Sequence, residues 1–213
     1  MSSQKVSIVR ADASEAPQLA ELIAVAFHSL DVARWLVPNP DRRAEVLPAN
    51  FRIFVDHALA HGEVHTTTDR SAVAVWFPRD SEPLPEPAAY QHRVAIACGE
   101  ATDRFVLLDE LFDKHHPHEP HHHLAFLAVQ PTRQRRGLGS ALLRHHHARL
   151  DARGLPAYLE ATSRDSRDLY AQHGYHQMGE PFRLPDETPI WAMWRPGLGA
   201  ARAEASEPED VNK

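Results

Sequence analysis

The chain has 213 residues, 43% of them hydrophobic, with a formal net charge of −6 and one cysteine, Cys98. That length supports a single domain with a real core; the charge argues against a nucleic-acid partner, and a lone cysteine excludes an internal disulfide and fits a reducing cytoplasm. No apolar stretch approaches the roughly 20 residues of a membrane span, and the opening MSSQKVSIVRADAS lacks the apolar region of a secretory signal, so neither a membrane nor export is expected.

Val6–Arg10 alternates apolar and polar residues and predicts a first strand. Ser14 is expected to cap the helix that follows. Pro17 then falls in the first turn, where no intrahelical N–H is required, and Leu19, Leu22, Ile23, Ala26 and Phe27 follow at helical spacing. A second helix carries Leu47, Phe51, Phe54, Val55 and Leu59 and stops near Gly62, with Pro48 marking a break or a start. Val64–Thr67 and Ala72–Phe77 predict a hairpin about Thr68-Asp69-Arg70. A proline-rich loop over 81–87 and two helices near 88–98 and 102–113 come next. The histidine-rich segment His115–His123 is expected as a solvated connection into a short buried strand, Leu124–Val129, bounded by Pro120 and Pro131. Then come a glycine-bearing loop, a helix over about 138–152 closed by Gly154, a strand Ala157–Ala161, a helix Asp165–His173 stopped by Gly174, and a last strand Ile190–Trp194. The tail from Gly197 is small, acidic and proline-containing, which predicts disorder and bounds the domain at 1–196.

The segment Leu127 to Ser140 carries the most chemistry. A buried strand ends, a short turn follows, and a helix starts at Gly137 and Gly139. Glycine lets a backbone approach a ligand closely, a helix N-terminus offers free N–H groups and a positive dipole end, and Arg135 and Arg136 add charge. Together they suit a pyrophosphate. The phosphate loop with a Gly-Lys pair is absent, and the dinucleotide fingerprint fails at position 142, where Leu stands for Gly. On residue pattern alone, a plain strand-to-helix turn stays open.

Val129-x-Pro131-x-x-Gln134-x-x-Gly137-x-Gly139 resembles motif A of the GNAT superfamily, and Leu169-Tyr170-x-x-x-Gly174-Tyr175 resembles its second hallmark. A wider similarity, over roughly residues 6 to 196, runs to the puromycin N-acetyltransferases and their actinobacterial relatives. It lies in Ala26-Phe27, Pro40-Asp41-Arg42, Ala72–Trp76, Glu119-Pro120, Gly154-x-Pro156-Ala157, Leu159-Glu160 and Trp191-x-Met193. The resemblance implies an α/β (α+β) fold with a mixed, mostly antiparallel twisted sheet, splayed between its two middle parallel strands and flanked by helices. It implies acetyl-CoA as co-substrate and an amine acceptor of small size, an antibiotic or other natural product among the candidates, in a monomer or homodimer. Backbone groups of Leu127, Ala128 and Val129 would bond the pantetheine arm, and Arg135, Arg136, Gly137, Leu138, Gly139 and Ser140 would wrap the pyrophosphate. Tyr170 would reach the coenzyme sulfur. Position 166 is Ser where the family often carries Asn.

Acetyl transfer needs a neutral amine, a donor for the thioester oxygen and a proton for the leaving sulfur. The Leu127 N–H is a candidate for the oxygen, and the Tyr170 hydroxyl for the sulfur. Glu160 and His123 are candidate bases, with a structural carboxylate, a surface histidine and a water relay as the alternatives. Trp35, Trp76, Phe77 and Tyr90 are candidates to line an acceptor pocket or to fill the core. Neighbouring histidines in a run point different ways, Pro117 and Pro120 restrict closure, and cysteine partners are absent, so no metal is expected. Acetylation of a protein N-terminus or lysine, and non-catalytic acyl-CoA or metal binding, are the other readings.

Overall fold

The computed structural model describes residues 6–79 and 84–198. Its centre is an eight-stranded sheet in the order β1 (Ile8–Arg10), β2 (Glu63–Thr67), β3 (Ala72–Arg79), β4 (His121–Val129), β5 (Ala157–Ala161) and β8 (Pro189–Arg195), with β6 (His176–Gln177) and β7 (Phe182–Arg183) both on the far edge of β8. All pairings are antiparallel except β4 with β5. One face packs against α1 (Ala16–Phe27), α2 (Asp31–Leu36), α3 (Pro40–His61), α4 (Tyr90–Cys98) and α5 (Thr102–His115), the other against α6 (Leu138–Arg153) and α7 (Arg164–Ala171). The strand period of two divides these cores: on β3, Val73, Val75 and Phe77 join the first, while Ala72, Ala74 and Trp76 join the second. The expected mixed, mostly antiparallel architecture is therefore present.

Several local expectations need correction. The first cap is Asp12, not Ser14. Its carboxylate accepts the Ser14 N–H at 2.8 Å, and Glu15 reaches back to the Asp12 N–H at 2.9 Å, closing a 3-10 turn that runs into α1. Pro48 neither breaks nor starts a helix; it lies inside α3, which begins at Pro40 under the Asn39 side chain. One lost backbone bond is tolerated there because Val46, Leu47, Phe51, Ile53 and Val55 are buried along the same helix. Gly154 does close α6, with φ 64° in the left-handed region. The anticipated loop over 81–87 falls partly, and the tail from 199 wholly, outside the described residues. No helix among the described residues is long and apolar enough to cross a membrane.

Candidate active site

The two middle strands meet only briefly. The β4–β5 ladder consists of His122↔Ala157 and His123↔Tyr158, and beyond it the strands part. β4 stays on β3 as far as Val129, with a register shift opposite Val75/Trp76 that leaves Ala125 as a bulged residue. The Gln130 N–H donates to the Ser71 carbonyl at 2.8 Å. That bond makes Val129–Ala72 a wide pair whose own backbone groups turn away from β3, and alternation gives Leu127 the same orientation. Leu127 therefore aims N–H and C=O into the gap left by β5, and Val129 its N–H, while the Val129 carbonyl accepts from Gln134 Nε2 at 3.2 Å. Ala128 does not: its backbone groups face Val73 and the residue is 2% exposed, which corrects its expected place among the ligand-binding groups.

Past Val129 the chain makes a 3-10 turn at Pro131–Arg133, passes Arg135 at φ 59° and Gly137 at φ 79°, and enters α6. At Gly137 a Cβ would meet no atom within 4 Å, so the space beside this left-handed residue is open. The first bond of α6 runs from the Ala141 N–H to the Gly137 carbonyl, 2.9 Å. The N–H groups of Leu138, Gly139 and Ser140 precede it, at the positive end of the helix dipole. Arg135 and Arg136 are exposed beside them, Arg135 meeting Asp165 at 3.2 Å, while Ser140 Oγ bonds His173 Nε2 at 2.9 Å. Backbone donors, a missing Cβ and two guanidinium groups fit the linked phosphates of a coenzyme.

Tyr170 stands on α7, on the same face as α6. The helix is started by a reciprocal cap: Ser163 Oγ accepts the Ser166 N–H at 3.1 Å, and Ser166 Oγ accepts the Ser163 N–H at 3.2 Å. Ser166 is thereby committed to the cap. Tyr170 is 8% exposed, its ring 5.9 Å from that of Tyr175, and burial pushes its pKa up, so the hydroxyl keeps its proton.

On the opposite face, where β4 and β5 last touch, His123 Nε2 lies 2.9 Å from Glu160 Oε2. A carboxylate only accepts, so Nε2 carries the hydrogen and Nδ1 holds the lone pair. That Nδ1 is buried and has no hydrogen-bond partner. Burial drives the His123 pKa below its ordinary value. Burial alone would raise the Glu160 carboxyl, but the imidazoles of His123 and His116 outweigh it and hold the group ionised. The pair is thus a carboxylate beside a neutral ring. His116 Nδ1 stands 3.7 Å from the second carboxylate oxygen, and His116 Nε2 is 3.1 Å from His121 Nε2. The histidine run is not the solvated connection expected of it. β4 already begins at His121, with His121 and His122 1% and 5% exposed. Strand alternation sends His121 and His123 to the Glu160 side and His122 to His146 on the other, so each ring finds a polar partner.

The anticipated acceptor aromatics divide. Trp76 is fully buried on the α6 face, stacked on His146 at 4.0 Å, and Phe77 is 5% exposed against His57. Both fill the core, the second of the two roles open to them, and neither lines a pocket. Trp35 packs at the edge of the first core with Arg104 5.8 Å over its ring. Tyr90 packs on Phe54 at 5.8 Å and donates to Asp109, whose carboxyl burial pushes up to about 6. Phe126, beside the bulge, was not among the candidates. Phe51, Phe54 and Phe27 converge on it, with centroids 5.0, 5.7 and 6.2 Å away. The spacing of Phe51 and Phe54 on one helix was a signal; that they meet Phe126 depends on the bulge.

Comparison with known proteins fits this geometry. The Acetyltransferase (GNAT) family matches over residues 53–175, more than half of the chain, a span that holds the parted strands, the glycine turn and Tyr170. A solved structure described as histone acetyltransferase HPA2 and related acetyltransferase, from Corynebacterium glutamicum, is 26% identical with a TM-score of 0.68, covering 91% of this chain and 97% of that one. The fold recurs in an agmatine N-acetyltransferase (17% identity, TM-score 0.62, 90% and 99% covered) and in a mosquito arylalkylamine N-acetyltransferase-like protein (19%, 0.53, 89% and 100%). With its sheet parted beside a glycine-led helix, the chain belongs to the GNAT family of acetyltransferases.

Proposed function

We propose that this acetyltransferase moves the acetyl group of acetyl-CoA directly to a primary or secondary amine of a small, largely apolar molecule, an antibiotic or other natural product among the candidates, as the puromycin-enzyme resemblance suggests. The observation that carries the proposal is the His123–Glu160 pair at the point where β4 and β5 separate. Acetyl-CoA supplies the acetyl group as a thioester. Leu127 offers its N–H and C=O along the gap and Val129 its N–H, and the N–H groups of Leu138, Gly139 and Ser140, with Arg135 and Arg136, suit its phosphates. The acceptor amine loses its proton to His123 Nδ1 as its C–N bond forms; Glu160 stabilises the imidazolium that results. The C–S bond breaks, and Tyr170 Oη delivers a proton to the departing sulfur. The Leu127 N–H is the donor for charge on the carbonyl oxygen. Phe126, Phe54 and Tyr90 favour a flat apolar body on the acceptor, and Asp109 a polar or cationic substituent.

The test is thiol release from acetyl-CoA against a panel of aromatic and aliphatic amines, aminonucleosides, amino acids and peptides. Turnover is expected with a small aromatic or apolar amine. Acetylation of peptides and of no small amine would replace this reading with protein acetylation.

A further inference from the structure

A second group of ligand-type side chains lies on the α6 face, away from Glu160. β2 contributes Glu63 and His65, and α6 contributes His146. The two imidazoles are 5% and 1% exposed, and the Nδ1 atom of each is buried with no hydrogen-bond partner. An unpaired ring nitrogen in the interior is destabilising, and two in one cluster need an explanation. His146 uses Nε2 on His122 at 3.2 Å, and its ring is fixed by the stack on Trp76. His65 Nε2 is 3.8 Å from Glu63 Oε2. One ligand atom from each of the three residues lies within 4.8 Å of the other two.

We propose that Glu63, His65 and His146 form a binding site for one divalent transition-metal ion of the zinc class. Two imidazoles and one carboxylate are a donor set that zinc, cobalt and nickel accept. Tetrahedral ligands at about 2.0–2.1 Å from an ion stand about 3.4 Å apart, so the atoms must draw together by up to about 1.4 Å. Glu63 must turn inward to do so. Its carboxylate is held from outside by Arg149, which orients it as an outer partner and also competes with a cation for it. The ring of His145, 4.8 Å from that of His65, borders the site. An ion here would tie α6 to β2 and take no part in acetyl transfer.

The test is titration of the full-length, metal-stripped protein with Co2+, read by calorimetry and by the visible absorption of tetrahedral cobalt. Wild type is compared with His65→Ala, Glu63→Gln, Arg149→Ala and, as a control for the histidines beside Glu160, His116→Ala. One equivalent is expected in wild type and in His116→Ala, with affinity at least roughly tenfold weaker in His65→Ala and Glu63→Gln. Arg149→Ala should bind as tightly or tighter. Far-UV circular dichroism establishes that each variant is folded. Cobalt uptake that His65→Ala and Glu63→Gln leave unchanged, or that His116→Ala alone abolishes, overturns the proposal, as does no uptake at all. Because the site lies away from the acceptor side, this outcome is independent of whether an amine substrate is found.

Discussion

Glu160→Gln isolates charge from shape at the candidate base. The side chain is 6% exposed, and a glutamine keeps an oxygen to accept the His123 Nε2–H now bonded at 2.9 Å. What it removes is the negative charge beside a ring that becomes positive when the amine gives up its proton. Unit charges about 4 Å apart attract by about 4 kcal/mol at an effective dielectric of 20. A retained neutral hydrogen bond offsets about 1 kcal/mol of that. The net loss in stabilising the imidazolium is then about 2–3 kcal/mol, or roughly 30–150-fold in turnover. The assay is thiol release at saturating acetyl-CoA with the best amine of the panel, alongside calorimetric CoA affinity, which should stay within about twofold because Glu160 lies off the phosphate turn. A turnover within about threefold of wild type would refute the role of the pair, since no buried charge acting on the proton transfer could be removed so cheaply.

Tyr170→Phe should lower turnover at least tenfold with little change in CoA affinity, measured by the same two assays. Gly137→Ala forces a side chain into a left-handed residue and into open space beside the helix N-terminus; stability should fall by about 1 kcal/mol in urea, and CoA affinity by roughly tenfold. For pH, the proposed mechanism makes the neutral His123 ring the active form, and burial holds its pKa below the ordinary value; with an arylamine acceptor, itself neutral over this range, turnover should hold from neutral pH down through 6.5 and fall only at lower pH, and in Glu160→Gln the limb should move further to acid. Arg43 is 5% exposed and donates to the carbonyls of Val37, His28 and Pro38 at 2.7, 2.9 and 2.8 Å; Arg43→Ala should cost about 3–5 kcal/mol of stability in urea unfolding.

Features governed by neighbouring residues were legible in the sequence. β5 has the bounds expected of it, α6 ends at Gly154, and the turn into α6 is marked by its own glycines. Features governed by distant partners were not. His121–His123 reads as polar loop by composition and becomes buried strand because Glu160, His146 and Tyr158 stand ready on other elements. Trp76 and Phe126 show the same limit. The strand period places residues on alternate faces, but only the bulge at Ala125 decides which aromatic meets the acceptor side. β6, β7 and α2 are too short for any period to register. His123 and Glu160 could be nominated singly; their contact is set by a register between strands.

That register has a mechanical side. The seam between the two halves of the sheet is closed by only two residue pairs, so the lower reaches of β4 face an opening where a neighbour strand would otherwise lie. A guest carrying amides along its length can supply those absent rungs, acting as a temporary strand that welds the halves together. Thermal stability should then climb with its concentration, and the second wall of the acceptor side would be finished only once it is seated, which favours an ordered reaction with the coenzyme entering first.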